Sequence, residues 1–418
     1  MSRAESFAAF RFPGFRRYQA AGALLNLAVQ TQGVAVAWQV YSLTNRRMDL
    51  GLVGLYQFIP IAALALVAGQ VADRFNRKWI LVLSTVLLAL CSFALAFLSA
   101  INNHNVHLIY LVLFALGCAR AFYAPAASTI TPLVVPKEQL PSAIGWGTTI
   151  WQVTTIAGPA IGGLLYRFAH DAKYVYAVST AMLLLAVFFQ ARLALPAVVK
   201  SATNRSWKSL LAGINYVRKS PVLLGAVSLD LFAVLLGGSV ALLPVFARDI
   251  LHVDQDGLGY LRAAPAFGAA FVALVLAVRP LRRHAGIATL TSVAVFGATT
   301  IIFGLSRSFW LSMAILFIGG AADMVSVFVR QNLRQLLTPD EMRGRVSAVT
   351  GLFVSVSNEL GEFESGATAE WFGTVPSVVA GGVGTILIVI AWAWLFPALR
   401  KVDRILDQAP PGAGTASA

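Results

Sequence analysis

The chain has 418 residues, of which 58% are hydrophobic and 12% charged, and its mean hydropathy is +0.74. Soluble domains carry about 25% charged residues, so a water-soluble globular class is excluded. The net charge of +14 invites a nucleic-acid partner. The basic residues, however, fall in short segments between apolar runs and not along one helix face, which argues against one.

The N-terminal stretch Met1–Arg17 is polar and holds Arg3, Arg11, Arg16 and Arg17. No short apolar core with a small-residue cleavage site follows, so it reads as a cytoplasmic lead-in and not as a signal peptide. Apolar runs then recur at 20–43, 51–72, 79–101, 108–131, 143–166, 174–196, 222–246, 258–279, 286–305, 309–331, 346–369 and 376–397. Each is long enough to cross a bilayer as a helix, which takes about 20 residues. The expected fold class is an all-α membrane protein of twelve transmembrane helices. Cys91 and Cys118 both fall inside these runs, so no disulfide scaffold is expected. With the N-terminus inside, cytoplasmic segments hold 24 of the 32 Lys and Arg residues and external segments 7, while Arg120 lies within a span. That bias puts both termini in the cytoplasm.

Between the second and third runs lies Gly69-Gln-Val-Ala-Asp73-Arg74-Phe-Asn-Arg77-Lys78, a hairpin with four charges at its tip, three of them basic. Gly69 lets its helix approach a neighbour closely, and Asp73 suits a helix N-terminus or an arginine. The longest connection, Ala197–Ser220, separates two sets of six spans. Within it Trp207, Leu210, Leu211, Ile214 and Val217 fall at helical spacing beside Lys208, Arg218 and Lys219. It reads as an amphipathic helix lying on the inner leaflet. The expected organisation is a six-helix bundle over 1–196, a linker over 197–220, a second bundle over 221–407 and a disordered tail over 408–418.

An offset of 203 residues superposes the two halves. Pro136-Lys-Glu138 falls on Pro339-Asp-Glu341, Gly158 to Gly163 on Gly361 to Gly366, Gly117 on Gly320 and Arg120 on Asp323. Two halves of parallel topology related by an axis along the membrane normal follow. The counterpart of the hairpin, Arg279-Pro-Leu-Arg282-Arg283-His284, keeps the basic residues and lacks the acid.

The motif G-x-x-x-D-R-x-x-R-K resembles the loop 2–3 motif of the major facilitator superfamily, which has a glycine where this chain has Asn76. Gly158-Pro159-x-x-Gly162-Gly163 resembles the span-five motif of that superfamily's drug and proton antiporters. Val34 to Thr44, Tyr123-Ala-Pro125-Ala126 and Asn358 to Gly366 look like the subgroup that includes bacterial enterobactin exporters. The resemblance implies two pseudo-symmetric six-helix bundles in the bacterial inner membrane. It also implies a gate built from Gly69, Asp73, Arg74, Arg77 and Lys78, and helix packing at Gly158, Pro159, Gly162 and Gly163. Proline bends a helix, and glycines admit a neighbour.

Asp230, Asp323, Glu359, Glu362 and Glu364 lie within spans. Facing lipid, each would cost about 2.5–3.5 kcal/mol. Together that is roughly 15 kcal/mol, the whole stability of a typical domain. They must line a wet cavity, pair with a base or stay protonated. A half-desolvated carboxyl exchanges protons near neutral pH, the chemistry of a proton-driven antiporter. Asp230, Glu359 and Glu362 are the leading candidates for the proton and substrate site. Arg120, near the midplane, resembles the span-four arginine of the antiporters. It is expected to face the same cavity as Asp323, either as part of the proton site or as a structural ion pair. Gln30 and Gln32, with Asn26, either hydrogen-bond a substrate or join helices, and Trp38, Tyr56, Tyr123, Trp146 and Trp151 suit a bulky ligand.

The expected activity is proton-coupled export of a small amphiphile such as a drug or siderophore by alternating access. An uptake symporter or lysolipid flippase of the same fold is the alternative. No Gly-rich phosphate loop and no serine motif is present, and no helix-spaced histidine pair falls within a span, His104 and His107 lying in a short external loop, so neither catalysis nor a metal is expected. The proton gradient serves in place of a cofactor, and the chain is expected to act as a monomer.

Overall fold

The computed structural model describes residues 8–103, 105–195, 207–279, 281 and 283–403. The expected disordered tail 408–418, the linker stretch 197–206 and two hairpin positions, Pro280 and Arg282, lie outside the described residues. Twelve long helices follow one another: α1 Pro13–Thr44, α2 Arg47–Arg74, α3 Arg77–Ala100, α4 Val106–Ala127, α5 Leu140–Ala169 and α6 Ala172–Ala191, then α7 Pro221–Gly237, α8 Gln255–Val278, α9 Ala285–Leu305, α10 Phe309–Leu337, α11 Asp340–Phe372 and α12 Thr374–Leu395. No strand occurs among the described residues. Ten of the twelve pass as membrane spans on length and apolarity alone. The other two, α5 and α11, have 30 and 33 residues. Their hydropathy is diluted by glycine, threonine and proline in α5 and by acidic residues in α11.

The seventh span is broken, where a single run over 222–246 was expected. α7 stops at Gly237, Gly238 takes φ −70° and ψ 59°, and the chain continues as a 3-10 turn over Ser239–Leu242 and a wide turn over Phe246–Ile250. Two glycines in a helix each forfeit about 1 kcal/mol relative to alanine, and Pro244 beyond them has no N–H to give. The Gly238 carbonyl released by the break accepts the Ser365 hydroxyl at 2.8 Å. Backbone polar groups at membrane depth persist only when satisfied in this way.

The chain divides into two compact units. One holds Met1–Asn45, Leu52–Arg205 and His252–Ala263; the other holds Arg46–Gly51, Ser206–Leu251 and Ala264–Ala418. In the first, α1 packs on α5 and α6, and α3 on α4 and α6. In the second, α7 packs on α11 and α12, and α9 on α10 and α12, the same adjacency six helices further on. The repeat reaches single residues. A Cβ on Gly117 of α4 would lie 2.3 Å from the Gln57 carbonyl of α2 and 2.6 Å from Pro60. At Gly320 of α10 it would meet the Pro265 backbone of α8 at 2.0 Å. Close approach at small residues is how membrane helices gain van der Waals contact where lipid removes the hydrophobic drive.

The linker helix Trp207–Lys219 packs in part on α11. Val217 is buried with Val346 and Val349 of α11. Gly213 lies against the Arg345 backbone, and the Tyr216 hydroxyl donates to the Leu337 carbonyl. Leu211, Arg218 and Lys219 remain exposed.

Candidate functional site

The second unit carries a charge cluster between its helices, in which Asp230 is buried and Asp323, Arg330 and Arg334 are half-buried. Asp230, 6% exposed on α7, forms an ion pair with Arg330 of α10. Asp323 sits seven residues before Arg330, about 10.5 Å along the same helix face, within electrostatic reach of both partners. One turn beyond Arg330, Arg334 donates to the Thr350 hydroxyl of α11 at 3.0 Å. Asp323, Arg330 and Arg334 therefore form one stripe along α10, with α7 and α11 contributing Asp230 and Thr350. The helix runs unbroken to Leu337 and turns Arg330 towards Asp230 of α7. The available signal was the acid of α7, which needs a base.

The glutamates of α11 are half-buried and do not share one environment. Gly361 and Ser365 mark the face on α7, since Gly361 lies against Val234 and Leu235 and Ser365 bonds Gly238. At 100° per residue Glu364 is 60° from Gly361 and Glu359 is 160° away. The structure brings Asp230, Asp323 and Arg330 together, and it leaves Glu359 on the far side of its helix from the α7 contact.

In the first unit, Arg120 of α4 donates to the Gln57 amide oxygen of α2 at 3.2 Å. Gln32 accepts the Ser92 hydroxyl at 2.5 Å, joining α1 to α3, and Asn26 donates to Thr154 at 2.7 Å and Thr155 at 3.0 Å of α5. Asn26 and Gln32 are buried, and each bonds a neighbouring helix. Gln30 is half-buried, its Cβ against Gly158.

The glycines of α5 act as expected from their size. A Cβ on Gly158 would strike Gln30 at 2.4 Å, and one on Gly162 the Thr31 carbonyl at 2.5 Å. The Thr31 hydroxyl closes the contact by donating to the Gly158 carbonyl at 3.1 Å. Pro159 lies inside the helix, and Gly163 packs on Gly259.

In the hairpin between α2 and α3, Asn76 is the N-cap of α3, its side chain accepting the Lys78 N–H at 3.0 Å. This accounts for asparagine at a position where the motif has glycine: the cap satisfies a first-turn N–H that glycine would leave to solvent. Gly69 is buried, and one Asp73 oxygen and the Arg77 Nε are buried without a hydrogen-bond partner among the described residues. Arg74 is exposed and Lys78 half-exposed.

A helical protein with twelve bilayer-length segments, folded as two units of like internal packing and holding ionisable side chains between its helices, has the architecture of the secondary transporters of the major facilitator superfamily. The family model described as transmembrane secretion effector matches residues 4–411, and the chain belongs to that family. It is 26% identical over 410 residues to the enterobactin exporter EntS of Escherichia coli, covering 96% of this chain and 94% of that one. It is 23% identical over 384 residues to macrolide efflux protein A of Streptococcus pyogenes, covering 88% and 92%. Among solved structures, a bacterial homologue of the lysosomal transporter Spinster superposes with a TM-score of 0.73 at 15% identity, covering 99% of this chain and all of that one. The nucleoside transporter NupG gives 0.74 at 13% identity, covering 92% and 100%. The protein is therefore a multi-pass membrane transporter whose partners are a small-molecule substrate and the bilayer.

Proposed function

We propose that the protein exports a small amphiphilic molecule from the bacterial cytoplasm through the inner membrane, in exchange for protons, by alternating access. Relatives named for macrolide efflux and enterobactin export support the direction. The observation that carries the coupling is the Asp230–Arg330 pair with Asp323 beside it. Two carboxyls lie within reach of Arg330, so a proton on one carboxyl decides which of them the guanidinium neutralises. Charge inside a membrane is tolerated only when paired or hydrated, so loading a proton and releasing it alternate with two arrangements of the cluster. The lysine and arginine distribution supports cytoplasmic termini. Asp73, Arg74 and Arg77 hold the cytoplasmic side closed when the cavity faces outward.

The test is expression in a bacterial strain stripped of its own exporters, challenged with macrolides and catecholate siderophores. Export predicts a lower intracellular level of at least one compound and a raised inhibitory concentration for the toxic ones, both abolished by Asp323→Asn. Higher intracellular accumulation would establish uptake instead.

A further inference from the structure

A helix leaves its first N–H groups without an intrahelical partner, and a side chain at the N-cap usually takes one of them. In the first unit α3 follows this rule, since Asn76 accepts the Lys78 N–H. α9 starts at the corresponding hairpin of the second unit and does not. Its N-cap is His284, in left-handed backbone at φ 58° and ψ 35°, with no hydrogen bond from its side chain to the first turn. The groups are taken instead by residues that follow α12. The Ala285 N–H donates to the Asp403 carbonyl at 3.1 Å and the Gly286 N–H to the Val402 carbonyl at 2.9 Å. The His284 N–H donates to the Asp403 carboxylate at 2.8 Å, and the His284 Nε2 lies 3.8 Å from the same oxygen.

After α12 ends at Leu395, Phe396 turns the chain and a short helix, Pro397–Arg400, leads to Val402 and Asp403. Leu399 and Val402 are buried in the core shared by Leu223 and Ala226 of α7 and Ala285 and Leu290 of α9. The approach to α9 is close, because a Cβ on Gly286 would overlap the Leu399 carbonyl. The polar side is open to water, with the His284 and Asp403 side chains 69% and 52% exposed. The hairpin from Arg279 to His284 holds bases and no acid of its own. Asp403 brings one to it, at the end of α9 where the helix dipole favours negative charge.

We infer that residues 396–403 form a strap that caps α9 and fixes the hairpin between α8 and α9, and that its release frees the hairpin while the spans stay folded. Leu399 and Val402 are the strap's only fully buried side chains. Its remaining hold on α9 is main-chain bonds and one carboxylate, for which water can substitute. Beyond the first turn, the hydrogen bonds of α9 are its own and do not depend on the strap. The first hairpin therefore carries its cap in its own sequence, whereas the second borrows both cap and acid from a segment 119 residues further on. The strap does not depend on which compound is transported or in which direction.

Hydrogen–deuterium exchange on the full chain in nanodiscs, without substrate, tests the strap from both sides of the contact. Asp403→Ala is expected to speed exchange in residues 283–288 about two- to tenfold, the range that loss of a helix cap supplies. Asp403→Asn, which keeps an oxygen for the His284 N–H, is expected to retain most of the protection. Gly286→Ala displaces the Leu399 carbonyl and is expected to speed exchange in residues 397–403 and 283–288 together. Alanine is the better helix former, so without a strap the same change would slow exchange at the start of α9. Residues 77–82 at the start of α3, and the melting temperature, are expected to match the parent throughout. Unchanged exchange in residues 283–288 of Asp403→Ala, or slower exchange there in Gly286→Ala, would overturn the inference. So would a rise spread over the whole chain with a lower melting temperature.

Discussion

Arg330→Met tests the charge cluster by removing one partner of a buried pair. The Asp230 side chain is 8% exposed and that of Arg330 14%, so neither charge can turn to water when the other is lost. Stranding one member of such a pair costs about 3–5 kcal/mol, whereas replacing both by uncharged groups of similar volume is neutral or stabilising by about 1–4 kcal/mol. Arg330→Met alone is therefore expected to lower the stability of the second unit by about 3 kcal/mol or more, and Asp230→Asn in the same chain to recover most of it. The coupling in the double-mutant cycle should exceed about 2 kcal/mol. At roughly 2 °C per kcal/mol for a large chain, the single variant melts about 6 °C lower by intrinsic fluorescence, and the double variant within about 2 °C of the parent. A loss that is additive, or below about 1 kcal/mol for Arg330→Met, would show that the pair does not carry the charge of Asp230 and would refute the argument.

Asn76→Ala should cost about 1 kcal/mol through loss of the α3 cap, and Asn76→Gly only a few tenths, measured by the same melting assay. Gly162→Val should prevent correct packing of α5 on α1, because its Cβ would stand 2.5 Å from the Thr31 carbonyl, while Gly145→Ala, with nothing within 4 Å, should melt like the parent. Burial opposes ionisation of Asp171. Hydrogen bonds from the Lys173 ammonium and backbone N–H and from the Ser99 hydroxyl outweigh it, and the carboxyl is held below its ordinary range. A depressed carboxyl stabilises the fold above its unfolded-state pKa of about 3.9, and that stability fades as pH falls through the lower folded value. Asp171→Asn should therefore melt lower than the parent at pH 6, with the difference shrinking steadily below pH 4.

Helix number and order were legible because bilayer length is a composition signal, and the repeat was legible because Gly117, Gly158 and Arg120 have partners at one offset. Pairing was not legible in that way. Arg330 lies near the end of an apolar run, and hydropathy reads such a residue as a boundary until a second helix supplies Asp230. The linker helix has an amphipathic pattern that a leaflet and a protein groove satisfy equally, and the α11 partners of Val217, Val346 and Val349, carry no mark in the sequence that pairs them with it. Gln32 and Asn26 show the same limit: an amide in a span announces a hydrogen bond, and the neighbour that takes it is set by packing. The break after Gly237 did leave a sign, the glycine pair followed by Pro244, which a count of apolar residues passes over.

The most direct measurement is proton movement in everted membrane vesicles, acidified inside by respiration and followed with a ΔpH-sensitive acridine dye. Addition of a compound exported in the growth screen should dissipate the gradient within seconds in vesicles carrying the parent protein, and should leave it intact with Asp323→Asn. A gradient unaffected by a compound that is nonetheless transported would contradict proton exchange at this cluster.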